Sequence, residues 1–296
     1  MDPEFIEVYQ SPRRADCDER ALVLASVGIE CELARVDDGF VLRVTEASRL
    51  AALAHLERYR VESLPPVPRP ALPPLHPDAW LGAAAYAMTL VGVAHSALDH
   101  WFGADWFSAG ELVADRVKHG EWWRLVTALT LHVDAAHLIT NLGFGALFGL
   151  LLGQLIGPGV AWGSILAAAM AGNLLDALLM PGAHRVVGAS TAAFATLGLL
   201  AAYSWRRRAG LGGRWPYRWA PLIAAVALLA LTGSGGERTD VLGHLTGFFA
   251  GVLLGALYGG SGPNLSGRES LQRIAGAAAL LAVAGAWALA LLRPFS

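Results

Sequence analysis

Four polar side chains lie within three apolar stretches of the sequence, and together they have the chemical types needed for acyl transfer at a serine. His137 and Asn141 lie in "HLITN", Ser190 in "GASTAAFA" and His244 in "GHLTGFFAG". A serine hydroxyl is a weak nucleophile without an adjacent base, and His244 could act as that base. His137, Asn141 and the backbone N–H of Ser190 could donate hydrogen bonds to the oxyanion of a tetrahedral intermediate.

The elements that carry these residues are predicted to be membrane-spanning helices. Of the 296 residues, 55% are hydrophobic and 16% are charged, which is typical of a polytopic membrane protein. About 20 apolar residues suffice to cross a bilayer as a helix. The sequence predicts seven spans, at residues 79–98, 135–157, 160–180, 186–205, 219–235, 241–259 and 274–292.

The arginines between the spans predict how the chain is oriented. The loop "RRRAGLGGRWPYR" contains five arginines, whereas "PGAHR" and "GSGGERTD" contain one each. Because loops rich in positive charge stay in the cytoplasm, we expect a cytoplasmic N-terminus and a C-terminus outside. The second, fourth and sixth spans then begin at the outer surface, which puts the four polar side chains at a similar shallow depth. The loop at residues 99–124, with six Trp and Phe, is typical of a segment at the membrane interface.

Each of the four polar residues has a simpler interpretation when taken alone. A serine in "GAS" is usually a small residue at a helix contact, and a single histidine in a membrane is often a hydrogen-bonded packing group. Ionisable and amide groups inside a membrane are expensive, however, and normally face a partner or a water-filled cavity. Four of them at matching depth on three helices of the same direction therefore favour a functional site.

The same stretches resemble the motifs of the rhomboid family of intramembrane serine proteases. "HLITN", preceded by "WWRLVTALTLHVDAA", resembles the His-x-x-x-Asn motif with its upstream Trp-Arg; "GASTAAFA" resembles Gly-x-Ser-Gly, and "GHLTGFFAG" resembles Ala-His-x-x-Gly. The resemblance covers residues 79 to about 259 in the family's order. It implies a membrane all-α fold with a six-helix core around a Ser–His dyad, followed here by one C-terminal transmembrane helix. It also implies cleavage of transmembrane-helix substrates near the outer surface.

The resemblance implies a role for individual residues. Ser190 matches the nucleophile, His244 the general base, and His137 and Asn141 the side chains of the oxyanion hole. The supporting positions that it implies are Phe194 against the catalytic imidazole, Gly188 and Gly247 as motif glycines, Trp123 and Arg124 as a structural interface-loop motif, and His132 as a structural histidine.

Two positions depart from the family's motifs. Thr191 replaces the glycine after the nucleophile, which could narrow the site, and Gly243 replaces a small alanine before His244. Thr191 favours an alternative function, a catalytically inactive rhomboid-like protein that binds transmembrane helices. Asp240, one turn before His244, is a conceivable third catalytic member, although an aspartate there is more often a helix cap. A transporter is disfavoured because the sequence has no inverted repeat and no buried acid pair.

The chain divides into four predicted segments. Residues 1–63 alternate in a βαββα pattern and are expected to form a small α/β domain in the cytosol, similar to signal-transducing domains of bacterial membrane proteins. Residues 64–78 form a proline-rich linker, residues 79–259 the six-helix core, and residues 260–296 a loop and the seventh span. The resemblance implies a bacterial inner membrane as the location. The stiff linker motivates the hypothesis that the N-terminal domain recognises a cytosolic partner.

Other partners and cofactors are not predicted. The net charge of −2 gives no reason to expect nucleic-acid binding, and membrane lipid is the expected surrounding. No metal set is predicted, because His132 and His137 do not share a helical face and no acidic residue accompanies them. Asp176 is expected to be a structural or interfacial group and His184 to be exposed. Cys17 and Cys31 are expected to be reduced thiols.

Overall fold

A computed structural model describes residues 5–63, 75–209, 215–233, 239–260, 265 and 267–292. The chain divides into two compact units, Met1–Arg69 and Pro70–Ser296. The predicted linker lies outside the described residues, apart from residues 75–78.

The N-terminal unit is a three-stranded antiparallel sheet with two helices. The elements are β1 (Phe5–Ser11), α1 (Arg14–Ser26), β2 (Cys31–Val36), β3 (Gly39–Thr45) and α2 (Arg49–Glu62). The order β–α–β–β–α is the one that the alternating pattern predicts, and the strands pair in the order β1-β3-β2. Its core consists of Leu24, Leu42, Val44, Ala52 and Leu56. This unit therefore has its own small hydrophobic core.

The second unit is built from long apolar helices. They are α3 (Ala79–Leu98), α7 (Ala135–Ile156), α8 (Pro158–Leu179), α9 (Ser190–Ala209), α10 (Trp215–Thr232), α11 (Val241–Gly260) and α12 (Glu269–Leu292). Among the described residues, α3, α7, α8, α11 and α12 are long and apolar enough to cross a membrane. The chain is thus a multi-pass membrane protein. Arginines lie near the ends of α9 and α10, so the apolar stretches of these two helices are shorter. That all seven long helices cross the membrane therefore stays a prediction.

Three short α-helices and one short strand lie between α3 and α7. The helices are α4 (Trp106–Gly110), α5 (Ala114–Lys118) and α6 (Arg124–Thr127), and β4 (Leu112–Val113) pairs with β5 (Arg185–Val186). Much of this segment is buried, including Trp106, Leu112 and Val117. The predicted interface segment is therefore packed into the helical unit.

Glycines let α11 approach α9 at backbone distance. A Cβ added at Gly251 would lie 1.9 Å from Ala195 O, and one at Gly255 would lie 2.4 Å from Leu199 O. The glycine at every fourth residue of α11 is therefore a close contact between helices, as small residues in membrane proteins commonly are.

The predicted start of the fourth span at residue 186 is wrong. Arg185 and Val186 belong to β5, and Gly188 follows with φ +128°, a conformation that side chains with a Cβ rarely adopt. The helix consequently begins at Ser190. The extended segment before it is the reason that this serine lies at the first residue of a helix.

Candidate active site

Ser190 and His244 form a hydrogen-bonded pair between α9 and α11. His244 Nε2 lies 2.8 Å from Ser190 Oγ, and His244 Nδ1 lies 2.8 Å from Gly233 O. A carbonyl oxygen can only accept, so the Nδ1 atom carries the proton in this bond and the neutral ring keeps a lone pair on Nε2. That tautomer can accept a proton from the serine hydroxyl.

The imidazole is held in place by packing as well. The ring of Phe194 lies 4.4 Å from the ring of His244, centroid to centroid, at an angle of 39°. Both side chains are buried. Phe194 is four residues after Ser190 in α9, so it lies on the same helix face as the serine.

His137 and Asn141 line the same cavity as Ser190 and His244. Asn141 is buried, and its Nδ2 atom has no hydrogen-bond partner among the described residues. The backbone around it is anchored, because Tyr86 Oη donates to Asn141 O over 2.8 Å. Asp134 Oδ1 accepts from the His137 N–H over 2.7 Å and caps α7. The site thus contains a preorganised amide donor and an imidazole close to the serine.

The backbone before Ser190 depends on Gly188. A Cβ at this position would lie 2.6 Å from His137 Cε1, so only glycine lets the chain pass this close to the imidazole. The Gly188 N–H donates to Ala128 O over 2.9 Å. The next N–H, of Ala189, donates to His132 Nε2 over 3.4 Å. His132 therefore supports the segment that leads into the serine.

His132 can accept this hydrogen bond only while it is neutral. The side chain is buried, and burial, with a smaller effect of His137 nearby, lowers the pKa of His132 to about 4. The imidazole thus stays uncharged at neutral pH and keeps the lone pair that the Ala189 N–H requires.

The side chain of Thr191 points away from the cavity. Thr191 is 1% exposed, and its Cγ2 atom lies beside Gly172 of α8 and Gly247 of α11. The cavity, of about 900 Å³, is lined by Ser190, Ala193 and Phe194 of α9 but not by Thr191. The possibility that this threonine narrows the site is therefore wrong; it fills the contact among three helices.

Asp240 is not hydrogen-bonded to the imidazole of His244. Its Oδ1 atom accepts from the Gly243 N–H over 2.9 Å, which is a helix cap. The Nδ1 atom of His244 is instead bonded to Gly233 O. A Cβ at Gly243 would lie 2.0 Å from Asp240 Oδ2, so the glycine before His244 leaves room for this carboxylate. The Ser190–His244 pair thus has a backbone carbonyl, and not the Asp240 carboxylate, as the acceptor at His244 Nδ1.

Trp123 and Arg124 hold the interface segment together. Arg124 is 2% exposed and forms an ion pair with Glu121 at 2.6 Å. Its guanidinium also donates to Glu111 O over 2.6 Å and Ser108 O over 3.0 Å. The indole of Trp123 donates to Ala109 O over 3.3 Å. Neither residue lines the cavity of the serine, so their contacts are structural.

The expectation that His184 is exposed is wrong. Its Nε2 atom lies 3.1 Å from Asp176 Oδ2 and 3.8 Å from Asp240 Oδ1, and 17% of its side chain is exposed. Sequence reasoning missed this group because the three residues lie on separate elements. The one available signal was Asp176 itself, a carboxylate in an apolar span. Asn173, one turn earlier, donates to Leu125 O over 3.0 Å and is structural.

Part of this chain is similar in sequence to known proteins. Residues 119–261 match the family model described as a rhomboid domain. The chain is 35% identical over 149 residues to "Rhomboid-like protease 3" of Toxoplasma gondii, covering 50% of this chain and 56% of the relative. It is 32% identical over 177 residues to "RHOMBOID-like protein 7" of Arabidopsis thaliana, covering 57% and 50%. For "Rhomboid-like protease 1" of Toxoplasma gondii the identity is 32% over 145 residues, covering 48% and 49%.

The chain spans about half the length of these relatives. The residues matched by the family model contain His137, Asn141, Ser190 and His244, on helices of a multi-pass membrane protein. Residues 119–261 therefore match a rhomboid domain, and this part of the chain is similar to rhomboid-like proteins.

Proposed function

We propose that this protein is an intramembrane serine endopeptidase that hydrolyses peptide bonds of membrane proteins through a Ser190–His244 dyad. The observation that carries the proposal is the 2.8 Å separation of Ser190 Oγ and His244 Nε2, with the opposite ring nitrogen bonded to Gly233 O. Two of the similar proteins are named rhomboid-like proteases, which adds support.

In the proposed reaction Ser190 Oγ attacks the carbonyl carbon of the scissile bond, and His244 Nε2 takes the hydroxyl proton. The developing oxyanion accepts hydrogen bonds from Asn141 Nδ2, from His137 and from the Ser190 N–H, which has no acceptor within its helix. His244 then gives the proton to the leaving amine as the C–N bond breaks. A water molecule hydrolyses the acyl-enzyme in the same two steps and restores the serine.

The proposed substrates are transmembrane helices, with membrane lipid as the surrounding. The amide donor and the dyad line a cavity that also includes apolar side chains such as Phe144 and Leu228. A mixed cavity of this kind accommodates an apolar segment while its peptide group meets the polar residues. We further propose a bacterial inner membrane as the location, with the six core helices and one C-terminal helix all spanning it.

The test is cleavage of a tagged single-span substrate by purified protein in liposomes. We expect Ser190→Ala and His244→Ala to abolish cleavage, while the matched variants Ser204→Ala and His119→Ala leave it within about twofold. Cleavage that persists in Ser190→Ala would show that another group is the nucleophile.

The same purified protein tests the alternative that the protein is catalytically inactive. A fluorophosphonate reacts with an activated serine, so we expect it to label wild type and not Ser190→Ala. Thr191, the residue that favoured an inactive protein, does not line the cavity. Folded wild-type protein that neither cleaves nor reacts would favour a protein that only binds transmembrane helices.

For the N-terminal unit we propose recognition of a cytosolic partner or substrate tail. Its own core and the proline-rich segment that follows in the sequence support a separately folded module. Removing residues 1–70 is expected to leave the intrinsic activity of the membrane unit intact but to reduce cleavage of a subset of substrates. Unchanged cleavage of every substrate in cells would contradict this role.

A further inference from the structure

Three ionisable side chains meet beside the dyad, on three different elements. Asp176 lies near the end of α8, His184 in the loop before β5, and Asp240 immediately before α11. His184 Nε2 is 3.1 Å from Asp176 Oδ2 and 3.8 Å from Asp240 Oδ1. One donor atom from each residue lies within 4.8 Å of the other two. The proposed peptidase reaction uses none of these side chains.

Two oxygens of this cluster have no partner among the described residues. Asp176 is 1% exposed, and its Oδ1 atom is buried without a hydrogen bond. Asp240 Oδ2 is likewise buried and unpaired, although Oδ1 of the same carboxylate caps α11. Buried polar atoms are normally hydrogen-bonded or bound to an ion. The unpaired oxygens therefore indicate that the cluster accommodates a further group.

The charges of the three side chains indicate that the further group is positively charged. Two ionised carboxylates carry a charge of −2, and the imidazole adds at most +1, so the three side chains remain negative in a largely buried place. Uncompensated buried charge is strongly unfavourable. Among the described residues, two nearby cations are paired elsewhere, because Arg185 forms an ion pair with Glu111 and Lys118 donates to Met180 O over 2.8 Å. A divalent cation would neutralise the two carboxylates.

We propose that Asp176, His184 and Asp240 bind one divalent transition-metal ion of the zinc class. Imidazole nitrogen together with carboxylate oxygens suits zinc, whereas calcium and magnesium prefer oxygen ligands alone. Ligand bonds of about 2.0–2.2 Å in a tetrahedral site put ligand atoms roughly 3.3–3.6 Å apart. The observed spacings reach this arrangement with side-chain adjustments on the order of 1 Å. A water molecule takes the fourth position.

Such an ion would connect the end of α8 with the start of α11, the helix that carries His244. Asp240 is four residues before His244 and lines the cavity of Ser190, and Asp176 lies in the last turn of α8. The ion would thereby fix the start of α11 relative to α8. It acts as a positioning element outside the dyad and takes no part in the chemistry at Ser190.

The test is metal binding by the purified full-length protein after removal of bound metal with a chelator. Zinc titrated in competition with a chromophoric chelator is expected to bind at one ion per chain. Asp176→Asn and His184→Gln are each expected to weaken binding by more than about tenfold, the size of loss that even an outer-shell partner causes. The matched control is His95→Gln with Asp99→Asn, an exposed pair at 3.5 Å, which should leave binding unchanged.

A second readout uses the wild-type chain, so it does not depend on the folding of a variant. Zinc is expected to protect His184 from diethylpyrocarbonate, as measured by mass spectrometry, while the exposed His95 reacts equally with and without zinc. No bound zinc, or equal reactivity of His184 in both conditions, would overturn the site and leave a hydrogen-bonded cluster. Zinc binding by Ser190→Ala at wild-type affinity is also expected, which separates this inference from the proposed peptidase activity.

Discussion

Thr191 shows how the direction of one side chain changes the meaning of a motif position. Its methyl group fills the contact with Gly172 and Gly247. Thr191→Gly is therefore expected to destabilise the protein by about 1–2 kcal/mol, through lost packing and the lower helix propensity of glycine, while cleavage changes by less than about threefold. Thermal unfolding and initial cleavage rates measure the two effects. A large gain in rate at unchanged stability would instead place the threonine in the path of the substrate.

Gly188 is a position where the backbone itself is needed. An added Cβ would meet His137 at 2.6 Å, and φ is +128°. Strain of this kind costs on the order of 1–3 kcal/mol, so Gly188→Ala is expected to lower kcat roughly 10- to 100-fold. The matched control is Gly143→Ala in α7, where no atom lies within 4 Å of the added Cβ. Equal activity of both variants would contradict the proposed role of this segment.

His132 is expected to make the structure acid-sensitive. Its pKa in the folded protein is about 4, below the ordinary value of 6.5, so the neutral form is favoured by folding. The contribution of neutral His132 to the free energy of unfolding is fully present above about pH 6.5. As the pH falls toward 4, this contribution is lost, by up to roughly 3 kcal/mol. We expect the unfolding temperature of wild type to fall between pH 7 and pH 5. The unfolding temperature of His132→Gln should fall less over the same pH range. Parallel falls in both proteins would refute this assignment.

The parts of the candidate site that depend on the spacing of residues within one helix could be predicted from the sequence. Residue types and helical spacing predict that His137 and Asn141 share a face and that Phe194 shares the face of Ser190, and the structure has both pairs in one cavity. The environment of His184 could not be predicted, because it depends on Asp176 of α8 and on Asp240 before α11. Tertiary contacts between separate elements leave no pattern in one sequence.

Helix α12 is long enough to cross a membrane, and it also makes hydrogen bonds to other elements. Gln272 donates to Ile156 O over 2.8 Å, and its Oε1 accepts from the Val160 N–H over 2.9 Å. This side chain thus satisfies backbone groups at the turn between α7 and α8. At the other end of α12, Trp287 donates to Thr130 Oγ1 over 3.0 Å, two residues before His132. Hydrogen bonds near both ends of α12 therefore connect this helix to other elements of the second unit.

Gln272→Met should leave the two backbone groups at this turn unpaired. A buried polar group without its partner costs about 1–3 kcal/mol, and we expect the thermal unfolding temperature to fall accordingly in detergent. Arg273→Ala, at a residue whose side chain is 81% exposed, is the control and should have little effect. If the two variants unfold alike, α12 does not anchor this turn.

The limits of prediction at the scale of elements have a physical reason. Hydrophobic runs predict the centres of the helices closely, but their ends depend on caps and turns. The fourth span illustrates this, because the apolar run includes Val186 and Val187, whereas the helix begins only at Ser190. Pairing of β5 with β4, more than 70 residues earlier in the chain, keeps these residues out of the helix. That pairing is a long-range contact and cannot be read from local composition.

At the scale of the whole molecule, the two ends of α9 indicate on which side of the membrane the Ser190–His244 pair lies. Ser190 is the first residue of this 20-residue helix, and Arg206, Arg207 and Arg208 are in its last turn. Twenty helical residues span about 30 Å, which is the thickness of the hydrocarbon core. The serine and the arginines must therefore lie near opposite surfaces if α9 crosses the bilayer. Because arginine-rich ends stay in the cytoplasm, we expect the dyad to lie near the outer surface.

This orientation is measurable by cysteine labelling in intact cells, after replacing Cys17 and Cys31. A membrane-impermeant maleimide is expected to label Lys118→Cys of the interface segment at once. Arg207→Cys and Arg58→Cys, at exposed positions of α9 and α2, should react only after the cells are opened. The reverse pattern would put Ser190 near the cytoplasmic surface, so that the scissile bonds would have to lie at the cytoplasmic ends of substrate helices. Labelling therefore determines from which compartment water and substrate reach the serine.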